Sequence, residues 1–189
     1  MESFGRETLL ERVLFRLISL QNDVILVGNN KQDLKKFTAR FPNLGVAVDI
    51  YPEKGPAGGI YTGLLASANF YNIVIACDMP FVSSDLLCYM VQQCNGYDVV
   101  VPEDNGYYEP LHAVYSRNCI EPLKKMLDSG ESQLSKLYSM VRTKYINNSE
   151  VECFDKRHLS FFNINTEADL ARARMIEMTK SGFSNIEVV

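Results

Sequence analysis

Asp78 follows the apolar run NIVIAC (72–77) and precedes Met79 and Pro80. A carboxylate leaving a strand at its C-terminal end, with proline fixing the next turn, suits Mg²⁺, which takes one or two carboxylates, keeps several waters and uses substrate phosphates as further ligands. The competing role for Asp78 is a helix cap, which Ser83 or Ser84 already supplies. A second polar stretch, Asp49 to Ile60, also follows an apolar run, GVAVDI (45–50). Its Gly55, Pro56, Gly58 and Gly59 lead into a helix. Such a turn lets backbone approach a base or a phosphate closely. It matches neither the dinucleotide fingerprint nor the Walker pattern, because Lys54 precedes the glycines. A plain turn and cap explains the same residues.

Asn163 and Asn165 alternate with apolar residues in FFNINTEADL (161–170), so both amides face one side of an extended segment. They could hold phosphate or metal-bound water, or simply lead to a Thr166 cap. Asn29, in the turn Gly28-Asn29-Asn30, has the same two readings. His112 lies in an apolar strand setting and His158 in a charged segment, and neither has a recognisable Ser or Cys partner, so nothing supports a nucleophilic triad. Tyr51, Tyr61, Tyr107 and Tyr108 could stack on a ring, although half-buried packing accounts for them equally.

The elements that must position these groups alternate. A helix over 7–20 carries Leu9, Leu10, Val13, Leu14, Leu17 and Ile18 on one face. Strand 23–28, a helix over 31–41, strand 45–50, a glycine-rich turn, a short helix at 58–68, strand 72–77, a helix over 83–94 and strand 97–102 follow. A loop at 103–109, strand 111–116, helices near 117–128 and 132–140, strand 143–146 and a helix over 166–178 complete the chain. Buried apolar strands alternating with helices imply an α/β, Rossmann-like three-layer fold, with a mostly parallel sheet covered on both faces. In such a sheet ligands bind beyond the carboxyl ends of the strands, where Asn29, Asp49 and Asp78 lie. No linker divides the chain, so a single domain over 1–178 with a loose tail at 179–189 is expected.

Composition narrows the function. The 189 residues are 47% hydrophobic with 19 Lys and Arg against 23 Asp and Glu, and the charges are interspersed. No basic stripe points to nucleic acid, and no apolar run reaches the roughly 20 residues that span a bilayer. With no secretory signal recognised, the cytoplasm is the default compartment. Five scattered cysteines without a C-x-x-C pair read as reduced, buried thiols.

Taken in order, VDIYPEKGPAGGIYTGL, ACDMPFVSSDLL, EPLHAVYSRNCIEPLKKMLDSGESQLSKL and FFNINTEADLARA resemble the molybdenum cofactor guanylyltransferases, over about Phe4 to Met178. The resemblance implies a nucleotidyltransferase fold that binds GTP and Mg²⁺ at the sheet edge. The terminal phosphate of molybdopterin attacks the α-phosphorus and pyrophosphate leaves. Asp78 then corresponds to the metal-binding carboxylate, and Asp49 to one on the guanosine side. The Gly55–Gly59 turn corresponds to backbone against the nucleotide, and Asn163 with Asn165 to a pair near metal and phosphates. Molybdoenzymes and other cofactor-maturation proteins are the implied partners.

The pattern departs from the family at its start. Family members open with a strand and a glycine-rich loop, L-A-G-G-x-S-x-R-M-G, followed by Lys, and this sequence contains neither. The resemblance therefore implies an N-terminally incomplete enzyme lacking its triphosphate cradle, whose activity in this form is left open. Val27 also stands where the family can present an Asn to the nucleotide, leaving Asn29 as the nearest amide. Alternative readings are cytidylyl transfer to the same cofactor, nucleotidyl transfer to a sugar phosphate, or a non-catalytic relative that binds cofactor or a partner. A nicotinamide oxidoreductase lacks its glycine fingerprint here.

Overall fold

The computed structural model describes residues 3–4, 7–20 and 23–183. Two short strands, β1 (Ser3–Phe4) and β2 (Glu7–Thr8), pair antiparallel ahead of helix α1 (Leu9–Ile18). Thr8 caps α1 in a reciprocal box: its hydroxyl accepts from Glu11 N at 3.3 Å, and the Glu11 carboxylate accepts from Thr8 N at 2.8 Å. Strand β3 (Ile25–Gly28), helix α2 (Lys31–Thr38) and strand β4 (Gly45–Val48) form one parallel βαβ unit, with Ile25 opposite Gly45 and Gly28 opposite Val48. Helix α3 (Gly55–Ala66) carries the chain to strand β5 (Tyr71–Ile75), and helix α4 (Ser84–Gln92) follows.

Strand β6 (Val99–Asp104) turns at Asn105-Gly106 into β7 (Tyr107–Tyr108), and strand β8 (His112–Ser116) follows. Both turn residues have positive φ, as tight hairpin turns require. The stretch read as a loop at 103–109 is thus largely hairpin. Helices α5 (Ile120–Asp128) and α6 (Leu134–Met140), strand β9 (Thr143–Ile146), helix α7 (Asn148–Glu152) and helix α8 (Glu167–Phe183) complete the chain. Helix α8 continues past the expected boundary at 178, and residues 184–189 of the expected tail lie outside the described residues.

The larger sheet runs β5-β8-β6, with β9 on the other edge of β6. Strand β8 is antiparallel to both β5 and β6, and β9 is parallel to β6. So β5, β6 and β9 share one direction with β8 reversed among them, a more mixed pairing than the alternation of elements suggests. The reversal follows from the hairpin, since β8 is reached without a crossover helix. Alternation along β6 and β8 feeds two cores. Val99, Val101, Ala113 and Tyr115 pack against α3, α5 and α6, while Val100 and Val114 pack with Ile146 against α4 and Val151.

Asp98 ties β6, β8 and β9 together where β6 begins. Its carboxylate accepts from Asn118 Nδ2 at 2.8 Å and from Arg142 N and Nε, each at 3.2 Å. Burial pushes the Asp98 carboxyl up, but these donors outweigh it and hold it below the usual range. The expected set of buried thiols holds for Cys94 and Cys119 only. Cys77, Cys88 and Cys153 are exposed, because they fall on the solvent side of their turns and helices, and all five are free.

His112 is fully buried at the start of β8, its ring edge-on to Phe161 at 5.1 Å, and neither ring nitrogen has a partner among the described residues. Burial pushes its imidazole from about 6.5 down to about 4. The unfolded chain therefore takes up this proton first, so stability falls as pH drops from about 6.5 toward 4. His112→Met should remove that sensitivity: in urea unfolding at pH 7 and pH 5, the native chain should lose on the order of 2 kcal/mol more than the variant.

Candidate active site

Two polar clusters sit at the carboxyl ends of the strands. At the first, Ala76 N donates to Leu111 O at 2.9 Å, one step beyond the β5–β8 ladder, and the chain then leaves the sheet through Cys77 and Asp78. Buried Met79, Phe81 and Val82 anchor this turn from inside. The Asp78 carbonyl accepts from Ile164 N at 3.0 Å, which brings the distant Asn163–Asn165 stretch against it. Ile164 is buried, so Asn163 and Asn165 face the opposite way, as their alternation predicts. Thr166 and Asp169 then close a capping box on α8, with Asp169 N donating to Thr166 Oγ1 at 3.2 Å and Thr166 N donating to Asp169 Oδ2 at 3.0 Å.

Asp78 Oδ1 is buried and has no hydrogen-bond partner among the described residues. A carboxylate oxygen left so costs about 1–3 kcal/mol or more, an expense that a bound cation would relieve. Among the described residues no group of three or more His, Cys, Asp or Glu comes together. One carboxylate with two neighbouring amides is a hard-oxygen set of the kind Mg²⁺ takes, leaving room for water and phosphate.

At the second cluster, Asp49 N donates to Gly28 O at 2.9 Å, extending the β3–β4 ladder. Asp49 Oδ1 accepts from Tyr51 N at 2.9 Å and from Thr62 Oγ1 at 3.0 Å, and Thr62 Oγ1 accepts from Ile50 N. This carboxylate is therefore fixed on one oxygen by its own turn. Residues 55–59 do not form a turn ahead of the helix, as the glycines suggested; they are its first turn. A short 3-10 segment, Pro52–Lys54, leads straight into α3, with Pro56 in the first turn where its missing N–H costs nothing. No side chain caps α3, so its first amides are free to meet an anion. A side chain on Gly58 would collide with the Tyr51 carbonyl, whereas Gly59 has open space.

Lys54 cannot easily stand in for a phosphate-binding lysine, because its Nζ donates to Gly130 O at 3.0 Å. Tyr51 is likewise committed, donating to Asp128 Oδ1 at 2.7 Å and packing edge-on against Tyr61. Asn29 is exposed just past β3, while Asn30 caps α2 through Gln32 N at 2.8 Å. Between the two clusters opens a cavity of about 460 Å³, with Pro56 and Gly59 on one side and Ala76 and Cys77 on the other.

Residues 1–145 match the family model of the MobA-like NTP transferase domain. The chain belongs to that family. It is 34% identical over 179 residues to the "Probable molybdenum cofactor guanylyltransferase" of Pelotomaculum thermopropionicum, covering 94% of this chain and 85% of the relative. It is 31% identical to the "Molybdenum cofactor guanylyltransferase" of Desulfosudis oleivorans, covering 88% and 80%. Among solved structures, molybdopterin-guanine dinucleotide biosynthesis protein A from Archaeoglobus fulgidus superposes with a TM-score of 0.82 at 26% identity, covering 94% of this chain and 89% of that one. A 4-diphosphocytidyl-2C-methyl-D-erythritol synthase from Anaerococcus prevotii shares the fold, with a TM-score of 0.71 at 14% identity.

Sequence reasoning passed over one constellation in this nucleotidyltransferase. His158, held at φ 52°, places Nδ1 2.6 Å from Asp104 Oδ1. The pair lines a second cavity of about 520 Å³ with Arg157, Phe162 and Arg172, whose guanidinium lies 5.4 Å from the centre of the Phe162 ring. Nothing local in the sequence joins residues 104 and 158; only the pairing of β6 with its neighbours does.

Gly58 and Gly59 separate packing from ligand contact. Gly58→Ala should lower the melting temperature, as the Tyr51 turn must move. Gly59→Ala should leave it unchanged or raise it, by up to about 1 kcal/mol of helix propensity. Thermal melts of both variants check this.

Proposed function

We propose that this transferase moves GMP from GTP to the molybdopterin form of the molybdenum cofactor, releasing pyrophosphate, in the cytoplasm. Its relatives' names support the reaction. The observation that carries the site assignment is the buried, unpartnered Asp78 Oδ1 at the end of β5, beside Asn163 and Asn165. Asp78 with the two asparagines would hold Mg²⁺. When bound, that ion neutralises phosphate charge and orients the triphosphate.

The other residues bind and align. Asp49, with one oxygen fixed by its turn, faces guanosine. Gly55, Pro56, Gly58 and Gly59 offer backbone at the start of α3, where free amides and the helix dipole favour an anion. Asn29 lies at the neighbouring strand end. Reaction joins the acceptor's terminal phosphate oxygen to the α-phosphorus and breaks the bond to the β-phosphate oxygen, so holding two anions in line is the main task. The cavity lined by Arg157 and Arg172, whose one carboxylate, Asp104, is paired with His158, suits an anionic acceptor. The product would then pass to molybdoenzymes or other maturation proteins.

Asp78→Asn tests the assignment in the form of the protein that turns over GTP. Pyrophosphate release should fall by about 10²-fold or more. The melting temperature should hold, since Asp78 Oδ1 makes no hydrogen bond among the described residues for the substitution to break. Unchanged pyrophosphate release in a folded variant would remove Asp78 from the site.

A further inference from the structure

Among the described residues only Asn105, at 50°, and His158, at 52°, have positive φ without being glycine. They are distant in the chain, yet their side chains meet the same atom. Asn105 Nδ2 donates to Asp104 Oδ1 at 3.0 Å, and His158 Nδ1 lies 2.6 Å from that oxygen. A carboxylate only accepts, so Nδ1 carries the proton. Left-handed backbone costs free energy in a residue with a Cβ and persists where the surroundings impose it. At Asn105 the hairpin between β6 and β7 imposes it. His158 has no hairpin to serve. It precedes a single 3-10 turn, Leu159–Phe161, which its side chain does not cap. What the side chain does is hold Asp104, with its ring 6.1 Å from that of Phe161 and Nε2 3.7 Å from the Glu152 carboxylate.

Both bonds fall on Oδ1. Oδ2 makes no hydrogen bond among the described residues, and the Asp104 side chain, 20% exposed, lines the cavity of about 520 Å³. One carboxylate oxygen is therefore spent on fixing the group, and the other is left for an occupant. The space is within the range of small-molecule sites. Leu159, Met175 and Ile176 make its walls apolar, and Arg172 lies over the Phe162 ring at 5.4 Å. Such a lining fits a flat ring: apolar and aromatic groups cover its faces, Arg157 and Arg172 take anionic substituents, and Oδ2 accepts from an N–H on its edge.

We propose that Asp104 is a specificity-determining residue of the acceptor site, with Asn105 and His158 as its positioning residues, and that its free carboxylate oxygen reads the amino-bearing edge of the acceptor's pterin ring. The identity of the acceptor rests on the guanylyl-transfer reading. Phe162 on the cavity wall is followed directly by Asn163, which puts the ring pocket next in the chain to the groups assigned to metal and phosphates. The amino group of a pterin donates to a carboxylate. Lumazine, the same ring with oxygen in place of that amino group, brings a lone pair against the charge instead. Guanine shares the amino-bearing edge, and the two rings are separated by place: Asp49 follows β4, whereas Asp104 ends β6.

The test uses two fluorescent probes, the 6-carboxylates of pterin and of lumazine, which carry the same anionic tail and differ only in amino group against oxygen. Titrated into the protein, the pterin should bind about tenfold or more tightly than the lumazine. In Asp104→Asn the amide oxygen is held by Asn105 and His158, which turns the NH₂ group to the occupant, so the preference should reverse. His158→Gly adopts positive φ without strain, which keeps the variant folded. The ratio of the two affinities should still fall severalfold; a histidine with a merely structural role would leave it unchanged. Guanosine, added as a competitor, should not displace the pterin. The proposal is overturned if the pterin does not bind at millimolar concentration, if the two probes bind equally, if folded Asp104→Asn keeps the native ratio, or if guanosine displaces the pterin, which would give Asp104 to the nucleotide. None of these measurements needs turnover, so pyrophosphate release in Asp78→Asn judges the transfer reaction separately.

Discussion

A buried peptide group must find a hydrogen-bond partner, and that demand organises this molecule more than any single side-chain contact. Strand β8 meets it for the larger sheet by serving two neighbours, β5 and β6, from its two edges. Because β8 returns through a hairpin, it runs against both of them and sets their carboxyl ends at one border. The ladder continues for one residue past β5, through Ala76, and Asp78 is delivered at the height where Ile164 can reach its carbonyl. Among the described residues, the same demand finds no strand along the outer edges of β3 and β5, where the sheet divides.

The polar groups inherit their positions from this arrangement. Asp49 stands where the β3–β4 ladder ends, and Asp78 where the β5–β8 ladder ends. Each is fixed by backbone before its side chain matters. The two carboxylates are then treated differently: one oxygen of Asp49 is satisfied by Tyr51 N and Thr62, while Asp78 Oδ1 has no partner among the described residues. A satisfied group orients; an unsatisfied one is available to bind. In the proposed function this contrast gives two aspartates in similar settings different parts.

Much of this was legible in the sequence because the relevant signals are local. Apolar runs ending in Gly28, Asp49 and Asp78 mark strand ends, and the alternation of Asn163, Ile164 and Asn165 fixes which side each residue takes. The cap at Thr166 follows from spacing alone. What stayed hidden depends on partners far along the chain. The reversed direction of β8, the Asp104–His158 pair and the exposure of Cys77, Cys88 and Cys153 are set by which strands lie side by side. The glycines at 55–59 were read as a turn because glycine breaks helices in isolation; here Gly58 is needed for the close approach of Tyr51, and α3 starts three residues earlier than expected.

The topology also bears on the order in which the chain assembles. The β3–α2–β4 unit closes over neighbouring residues and emerges early in synthesis, so it can form while the rest is still being made. Strand β5 cannot follow at once, for its partner β8 comes later, with Ile75 waiting for His112. Loop closure over that interval makes β5 pairing a late event. The β3–α2–β4 unit must therefore wait beside an unpaired β5, and helix α3, which packs on β3 and β4 and leads directly into β5, keeps the two within reach of each other until the ladder through β8 is complete.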